Sequence, residues 1–244
     1  MPKKRLDTLL ADLKLAESRQ RAQALIMAGL VRVNGNPAEK SGTMVDEESE
    51  IEVLGKDHPY VSRGGVKLAH ALDVFSINPQ NAVCLDAGAS TGGFTDCLLQ
   101  RGAAKVWAID VGENQLDYKL RTDPRVVSME GVNTRSMDIS VITDAIDIIV
   151  ADVSFISLKL AIPPLLPLLK SGGSAVLLVK PQFEAGKDSV GKGGVVKDPK
   201  VRKKTLDGII AFFTSIGLEC LGHCESPISG RKGNIEYLVH LLKG

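Results

Sequence analysis

The chain is 244 residues long, 44% hydrophobic and 4% aromatic, with 30 basic and 29 acidic side chains and a formal net charge of +1. That length exceeds the usual single-domain size and predicts two domains, while the apolar fraction excludes a mostly disordered chain. No stretch approaches the roughly 18 apolar residues of a membrane-spanning helix, because the longest, Leu160 to Leu169, is broken by Pro163, Pro164 and Pro167.

The opening MPKKRLD turns polar at once, which reads against a secretory signal. Arg5 to Leu15 carries Leu6, Leu9, Leu10 and Leu13 at one-face helical spacing. Ser18 has N-cap chemistry for a second helix, with Ala22, Leu25 and Ile26 on its inner side and Gly29 ending it. A short alternating strand, Leu30 to Gly35, closes on Asn34-Gly35, a strong hairpin signal, and a further strand over 49–54 completes the unit. Charge is polarised here: residues 1–40 hold eight Lys/Arg against four Asp/Glu, and residues 41–57 hold one Lys against six acids. A basic helix pair backed by an acidic rim suits a phosphate backbone, although charge runs by themselves are usually solvated surface. The pattern is more specific. RLDxxL followed by SRxxAxxLIxxGxVxVNG resembles the S4 RNA-binding domain, and that resemblance implies Arg5, Arg19, Arg21, Arg32 and Lys40 as candidate RNA-backbone contacts.

From about residue 66, strands alternate with helical patterns. Ala82 to Asp86 is a continuous apolar run, followed by the small residues 87–93 and a helix from Phe94 to Gln100. Further strands are expected at Val106–Val111, Val126–Met129, Ile146–Val153 and Ala175–Val179. A helix over Lys200–Ile216 then leads to closing strands near Glu219–Cys224 and Ile235–Leu242. Continuous rather than alternating strands indicate a sheet covered on both faces, hence an α/β doubly wound, Rossmann-like domain over 61–244 behind a small α+β domain over 1–60. Ligands in such sheets sit at the carboxyl ends of the strands. The loop there reads Gly88-x-x-x-Gly92-Gly93, which departs from the dinucleotide fingerprint and is, taken alone, also what a tight strand–helix turn looks like. Asp86 before it and Asp110 after the second strand suit S-adenosylmethionine, one near the methionine ammonium and one on the ribose. Gly88, Ser90, Gly92 and Gly93 supply the backbone cradle, and Asn133 is placed for the adenine edge.

Charged residues also stand directly at the ends of apolar strands: Asp152 after the fourth, Lys180 after the fifth and Glu236 at the start of the last, with Lys67 on the helix preceding the sheet. Buried lysine–carboxylate pairing accounts for one such pair; four charges beside a cofactor loop point to catalysis. The segments SRxxxKL, DAGASTGGF, ADVSF, LVKPQFE and NIEYL resemble the FtsJ-like RNA ribose 2′-O-methyltransferases. With the S4 pattern, nearly the whole chain resembles the TlyA family. The resemblance implies Lys67, Asp152, Lys180 and Glu236 as a catalytic tetrad and cytidine ribose in ribosomal RNA, or a ribosomal subunit, as substrate. Some members of that family are also described as haemolysins. A cytolysin would need a membrane-inserting segment that is not visible, and a non-catalytic RNA-binding assembly factor would bind RNA without methylating it.

Lysine is a poor base when free, with a reference pKa of about 10.4, which a second ammonium lowers and carboxylates raise. Lys180 is therefore expected either to act as general base oriented by Asp152, or to stay protonated and stabilise the developing alkoxide. Lys67 and Glu236 would hold the ribose. Lys187 to Lys204 carries seven Lys/Arg against two Asp among glycines and reads as a mobile basic loop able to close over RNA, or as a solvated loop. Arg63, Lys187 and Lys192 join the RNA-facing candidates. Phe155 and Phe183 flank the tetrad, where they can stack on the target base or serve as core. Four cysteines are few; Cys220 and Cys224 flank His223, but no second pair has zinc spacing, so no metal and a reduced, cytoplasmic setting are expected.

Overall fold

The computed structural model describes all residues except 1, 2, 14, 17, 55–57, 187, 188 and 192, and the chain divides into two compact units, Met1–Pro59 and Tyr60–Gly244. In the first unit β1 (Lys3–Arg5) leads into α1 (Leu6–Asp12) and α2 (Arg19–Met27). Four short strands follow: β2 (Val31–Val33), β3 (Asn36–Pro37), β4 (Met44–Asp46) and β5 (Ile51–Val53). Leu6, Leu9 and Leu10 of α1 close on Ala22 and Ile26 of α2 and on Val31 and Val45. Ser18 caps α2 by accepting the Arg21 N–H at 3.1 Å, and Asn34-Gly35, both at positive φ, turn β2 into β3. The expected helix over Arg5–Leu15 is shorter, because Arg5 belongs to a strand that pairs with β4 and Leu13 is half exposed. That two-stranded ladder has too few residues to show any alternation in the sequence.

The second unit begins with α3 (Gly64–Val74) and continues β6 (Val83–Ala87), α4 (Gly93–Gln100), β7 (Lys105–Ile109), α5 (Tyr118–Arg121) and β8 (Val126–Met129). Then come β9 (Ile146–Ala151), α6 (Leu158–Ala161), β10 (Leu169–Val179), α7 (Pro181–Glu184), α8 (Pro199–Ser215), β11 (Leu218–Glu225) and β12 (Tyr237–Lys243). The seven strands stand in the order β11-β12-β10-β9-β6-β7-β8, parallel except that β12 runs antiparallel to both β10 and β11. Alternate residues of each strand go to opposite faces: Leu85, Ile149, Leu177 and Val239 meet Ile209 and Phe213 of α8, while Cys84, Val150, Val176 and Leu238 pack with Leu68 of α3 and Leu98 of α4. β10 starts six residues before the expected Ala175. Gly172 and Gly173, which resemble a turn in sequence, instead form an irregularity within the strand, between its Leu169 and Ser174 pairings.

This topology gathers the site. The parallel strands β6, β7, β9 and β10 release their chains at one edge, and antiparallel β12 begins at that same edge, with Tyr237 paired to Val179. Lys180 and Glu236 are the next residues out on those two strands, and Asp152 is the next residue out on β9.

Candidate functional site

Lys67, Asp152, Lys180 and Glu236 come together in one pocket of about 130 Å³, closed by Ser154, Gln182 and the rings of Phe155 and Phe183. Lys180 Nζ lies 2.6 Å from Asp152 Oδ1 and donates to Ser154 Oγ at 2.7 Å. Lys67 Nζ donates to Glu236 Oε2 at 2.5 Å, and Gln182 Nε2 donates to Glu236 Oε1 at 3.1 Å. Two cations and two anions, three of them nearly buried, cancel in charge, which makes this desolvated cluster tolerable. Burial pushes the Asp152 carboxyl above its ordinary range, and Lys180 and Lys67 pull it back. Gly230 is part of the same construction, since any side chain there would collide with the Glu236 carboxylate. Ser154 and Gln182 lie inside the ADVSF and LVKPQFE segments but acquire their roles only by folding, and Gly230 lies outside every segment that carried a pattern.

Phe155 is 85% exposed and sits at φ +63°, a left-handed conformation that a bulky residue adopts at a cost of roughly 1–3 kcal/mol. Its ring lies 5.0 Å from that of Phe183 at 48°. It is not core.

A second cavity, of about 350 Å³, shares Lys67 and Asp152 with the first and is floored by Gly88, Ala89, Ser90, Thr91 and Gly93. Ser62 and Arg63 from the turn leading into α3 and Ile228 to Gly230 complete it, so Arg63, expected to face RNA, lines this cavity instead. The glycines are demanded by neighbouring protein atoms more than by a ligand. A Cβ on Gly88, at φ +84°, would sit 2.9 Å from the Asp152 carbonyl oxygen, and one on Gly92, at φ +94°, would run into Leu116 and Leu120. Asp110 shapes the same loop: its carboxylate accepts the N–H of Ser90 and of Gly112, each at 2.7 Å. Asp86 is fully buried beneath it, accepting Thr95 N–H at 3.0 Å and Thr95 Oγ1 at 2.7 Å, and burial pushes its carboxyl up to about 7. Its Oδ1 has no partner among the described residues. Of the expected cofactor residues Gly88, Ser90 and Gly93 line the cavity, whereas Asp86, Gly92, Asp110 and Asn133 do not; Asn133 is exposed and its Oδ1 accepts the Arg135 N–H.

A cofactor with an amino-acid end and a reactive sulfonium fits this arrangement. The cavity offers cations, hydroxyls and a carboxylate, and its shared wall puts whatever occupies it next to the tetrad. A larger groove of about 480 Å³ lies at the opposite edge of the sheet around Phe75 and His240. Its one carboxylate, Asp147, is already bonded to Val83 N–H and Lys170.

In the first unit the structure joins Arg5 and Arg19 through Asp7, which has no exposed surface. Arg5 Nη2 lies 2.9 Å, Arg19 Nε 3.1 Å and Gln23 Nε2 2.8 Å from Asp7 Oδ2, and these donors hold its carboxyl well below the usual range. Arg21, Arg32 and Lys40 are exposed. Lys187 and Lys192 lie outside the described residues. What is described of the basic segment is anchored: Asn234 accepts Val196 N–H and donates to the Gly194 carbonyl, and Lys232 donates to the Gly193 carbonyl. Among the described residues no cluster of His, Cys, Asp and Glu could hold a metal ion.

The FtsJ-like methyltransferase family model matches residues 60–243, and the S4 domain model matches residues 4–51. A 16S/23S rRNA (cytidine-2′-O)-methyltransferase, TlyA, of Mycobacterium tuberculosis is 45% identical over 238 residues, 97% of this chain and 89% of that one. Hemolysin A of Brachyspira hyodysenteriae is 45% identical over 239 residues, 98% of this chain and 99% of that one. Among solved structures, a hemolysin-named protein of Streptococcus thermophilus superposes with a TM-score of 0.79 at 45% identity, over 100% of this chain and 89% of its own.

Proposed function

The chain belongs to the FtsJ-like methyltransferase family and carries an S4 domain, and on that premise we propose that it transfers a methyl group from S-adenosylmethionine to the 2′-hydroxyl of a cytidine ribose in ribosomal RNA. The observation that carries this reading is the meeting of Lys67, Asp152, Lys180 and Glu236 in a pocket that shares a wall with the glycine-loop cavity.

The cofactor supplies an electrophilic methyl group on a positively charged sulfur. The protein must hold the ribose oxygen about 3–3.5 Å from that carbon, in line with the departing sulfur, and dispose of one proton. Lys180, entering as the neutral amine, takes the proton of the 2′-hydroxyl and becomes an ammonium, which Asp152 and Ser154 hold in place. Lys67 and Glu236, themselves fixed by Gln182 and Gly230, hold the ribose. Phe155 and Phe183 offer stacking faces for the target base. Gly88, Ser90, Gly92 and Gly93 form the cofactor loop, Asp110 and Asp86 brace it from two sides, and Arg63 meets the cofactor's carboxylate end. Arg5, Arg19, Arg21, Arg32 and Lys40 contact the RNA backbone. Ribosomal RNA as substrate places the protein in the cytoplasm. The hemolysin name belongs to relatives, and no helix among the described residues is long and apolar enough to cross a membrane.

The test is to incubate the protein and labelled S-adenosylmethionine with each ribosomal subunit and to locate the product by nucleoside mass spectrometry. Methylated cytidine ribose is expected with the wild-type chain and none with Lys180→Ala; methylation of a base would overturn the mechanism. A base role for Lys180 further requires a rising acid limb in the single-turnover pH–rate profile. A rate independent of pH would assign it to alkoxide stabilisation.

A further inference from the structure

The loops after β9 and β10 carry six of the eight residues that line the tetrad pocket, and they are tied together twice. The inner tie is Asp152 and Ser154 to Lys180. The outer tie is Glu184, the last residue of α7. Its Oε2 accepts the Ser157 hydroxyl at 2.6 Å and its Oε1 accepts the Leu158 N–H at 2.7 Å, so one carboxylate reaches across to cap the first turn of α6. Phe155 lies between the two ties on one loop, and Phe183 lies between them on the other. Glu184 is partly buried and does not line the tetrad pocket, and none of the proposed chemistry uses it.

The backbone of Phe155 explains what the outer tie is for. A phenylalanine at φ +63° persists only where the surroundings over-determine it. Its own ring cannot do this, because 85% of the residue is exposed and its one aromatic neighbour among the described residues is Phe183. The chain around it is fixed by β9 on one side and by Glu184 on the other.

We propose that Glu184 is a positioning residue that holds the strained Phe155 loop against the Lys180 segment, and so sets the two phenylalanines at the mouth of the tetrad pocket. The proposal rests on the methyltransferase reading for its consequence in rate, but not for its structural content. Glu184 then acts on the reaction only through Phe155.

A double-mutant cycle on the full chain tests it. At saturating cofactor, Phe155→Ala and Glu184→Ala are each expected to lower single-turnover kcat/KM for the RNA by about tenfold or more, as expected when an aligned group is misplaced. The double variant should be no slower than Phe155→Ala, because the clamp has nothing left to position. Glu184→Gln keeps both contacts, since the Ser157 hydroxyl also accepts, and should restore most of the rate; Glu184→Asp, one methylene short, should not. Cofactor affinity by calorimetry should stay unchanged in Glu184→Ala. Multiplying penalties in the double variant, or a cofactor affinity that falls in parallel, would overturn the proposal. Should Glu184→Ala not fold, Ser157→Ala removes one contact of the same clamp and enters the same cycle. Fluorine NMR of fluorophenylalanine-labelled protein, without RNA or cofactor, gives a readout independent of activity. The Phe155 resonance must move in Glu184→Ala or Ser157→Ala, and an unmoved resonance sinks the proposal even if no methyl transfer is found. Absence of methyl transfer in the wild-type chain with a displaced resonance would instead overturn the methyltransferase reading alone.

Discussion

Asp86 sits under the cofactor loop with no exposed surface and one oxygen without a partner among the described residues, and its carboxyl is pushed up to about 7. An unfolded aspartate releases its proton near 3.9, so between about 4 and 7 the folded chain keeps a proton that the unfolded chain has lost. Folding stability must therefore fall as pH rises through that window. Asp86→Asn is expected to flatten the fall and to exceed wild type at pH 8 by on the order of 4 kcal/mol, with little difference at pH 4. Asp152 and Glu184 are raised in the same direction, so the slope should shrink without vanishing. Urea midpoints at pH 4, 6 and 8 check this, and parallel curves for the two proteins would refute it. Asp86 also marks a limit of reading residues in isolation. Its place before the glycines was legible, but its partner, Thr95, became visible only when β6 and α4 came together. The four tetrad charges were legible because each stands next to an apolar strand or helix segment. Gly230 was not, because a lone glycine in a polar stretch carries no pattern of its own, and Glu184, though inside the LVKPQFE segment, gave no hint of the partners it meets across the chain.

Elements with a repeated period were readable, and those held by one cross-chain contact were not. β8 falls at its expected residues and α8 within one residue at each end, whereas β1 and β4 exist only as a three-residue pairing and α5 as a single turn capped by Asp117. The α1–α2 pair illustrates the difference. Its leucines announce the packing, but the Asp7 cluster that ties the helices polar side to polar side is spread over seventeen positions. Replacing that carboxylate by an amide removes a charge that Arg5, Arg19 and Gln23 all address. Asp7→Asn is expected to loosen α1 and α2 by about 2 kcal/mol, the scale of hydrogen bonds to a charged group. Amide hydrogen exchange on the full chain should then speed up by about 30-fold across residues 6–27, and little in the second unit. Equal acceleration in both units would show that Asp7 supports more than its own element pair. The expected sign with pH is the opposite of that for Asp86. Asp7 is held below the usual range, so its contribution is present at neutral pH and disappears as the solution is acidified.

At the scale of the molecule, a formal charge of +1 conceals two separate basic regions, one in residues 1–40 and one in Lys187 to Lys204. Each unit therefore brings its own set of cations to a phosphate backbone, and their contributions should add. Each phosphate contact releases condensed counterions, so the slope of log K against log salt counts contacts, at about 0.7–0.9 per cation. Replacing Arg21, Arg32 and Lys40 together by alanine should lower that slope by about 2–3 for ribosomal RNA. Replacing Lys200, Lys203 and Lys204 should do the same, and the six-fold variant should lose the sum of both. The single-turnover rate at saturating RNA should stay within about twofold of wild type in the first variant, because its three residues belong to the first unit and the whole tetrad to the second. A slope that does not change would mean these side chains are solvated surface, the ordinary fate of charge runs. A slope that falls together with the saturated rate would mean instead that the first unit places the ribose as well as binding the backbone. Filter binding across a salt series, run beside quenched single-turnover assays on the same preparations, separates the two.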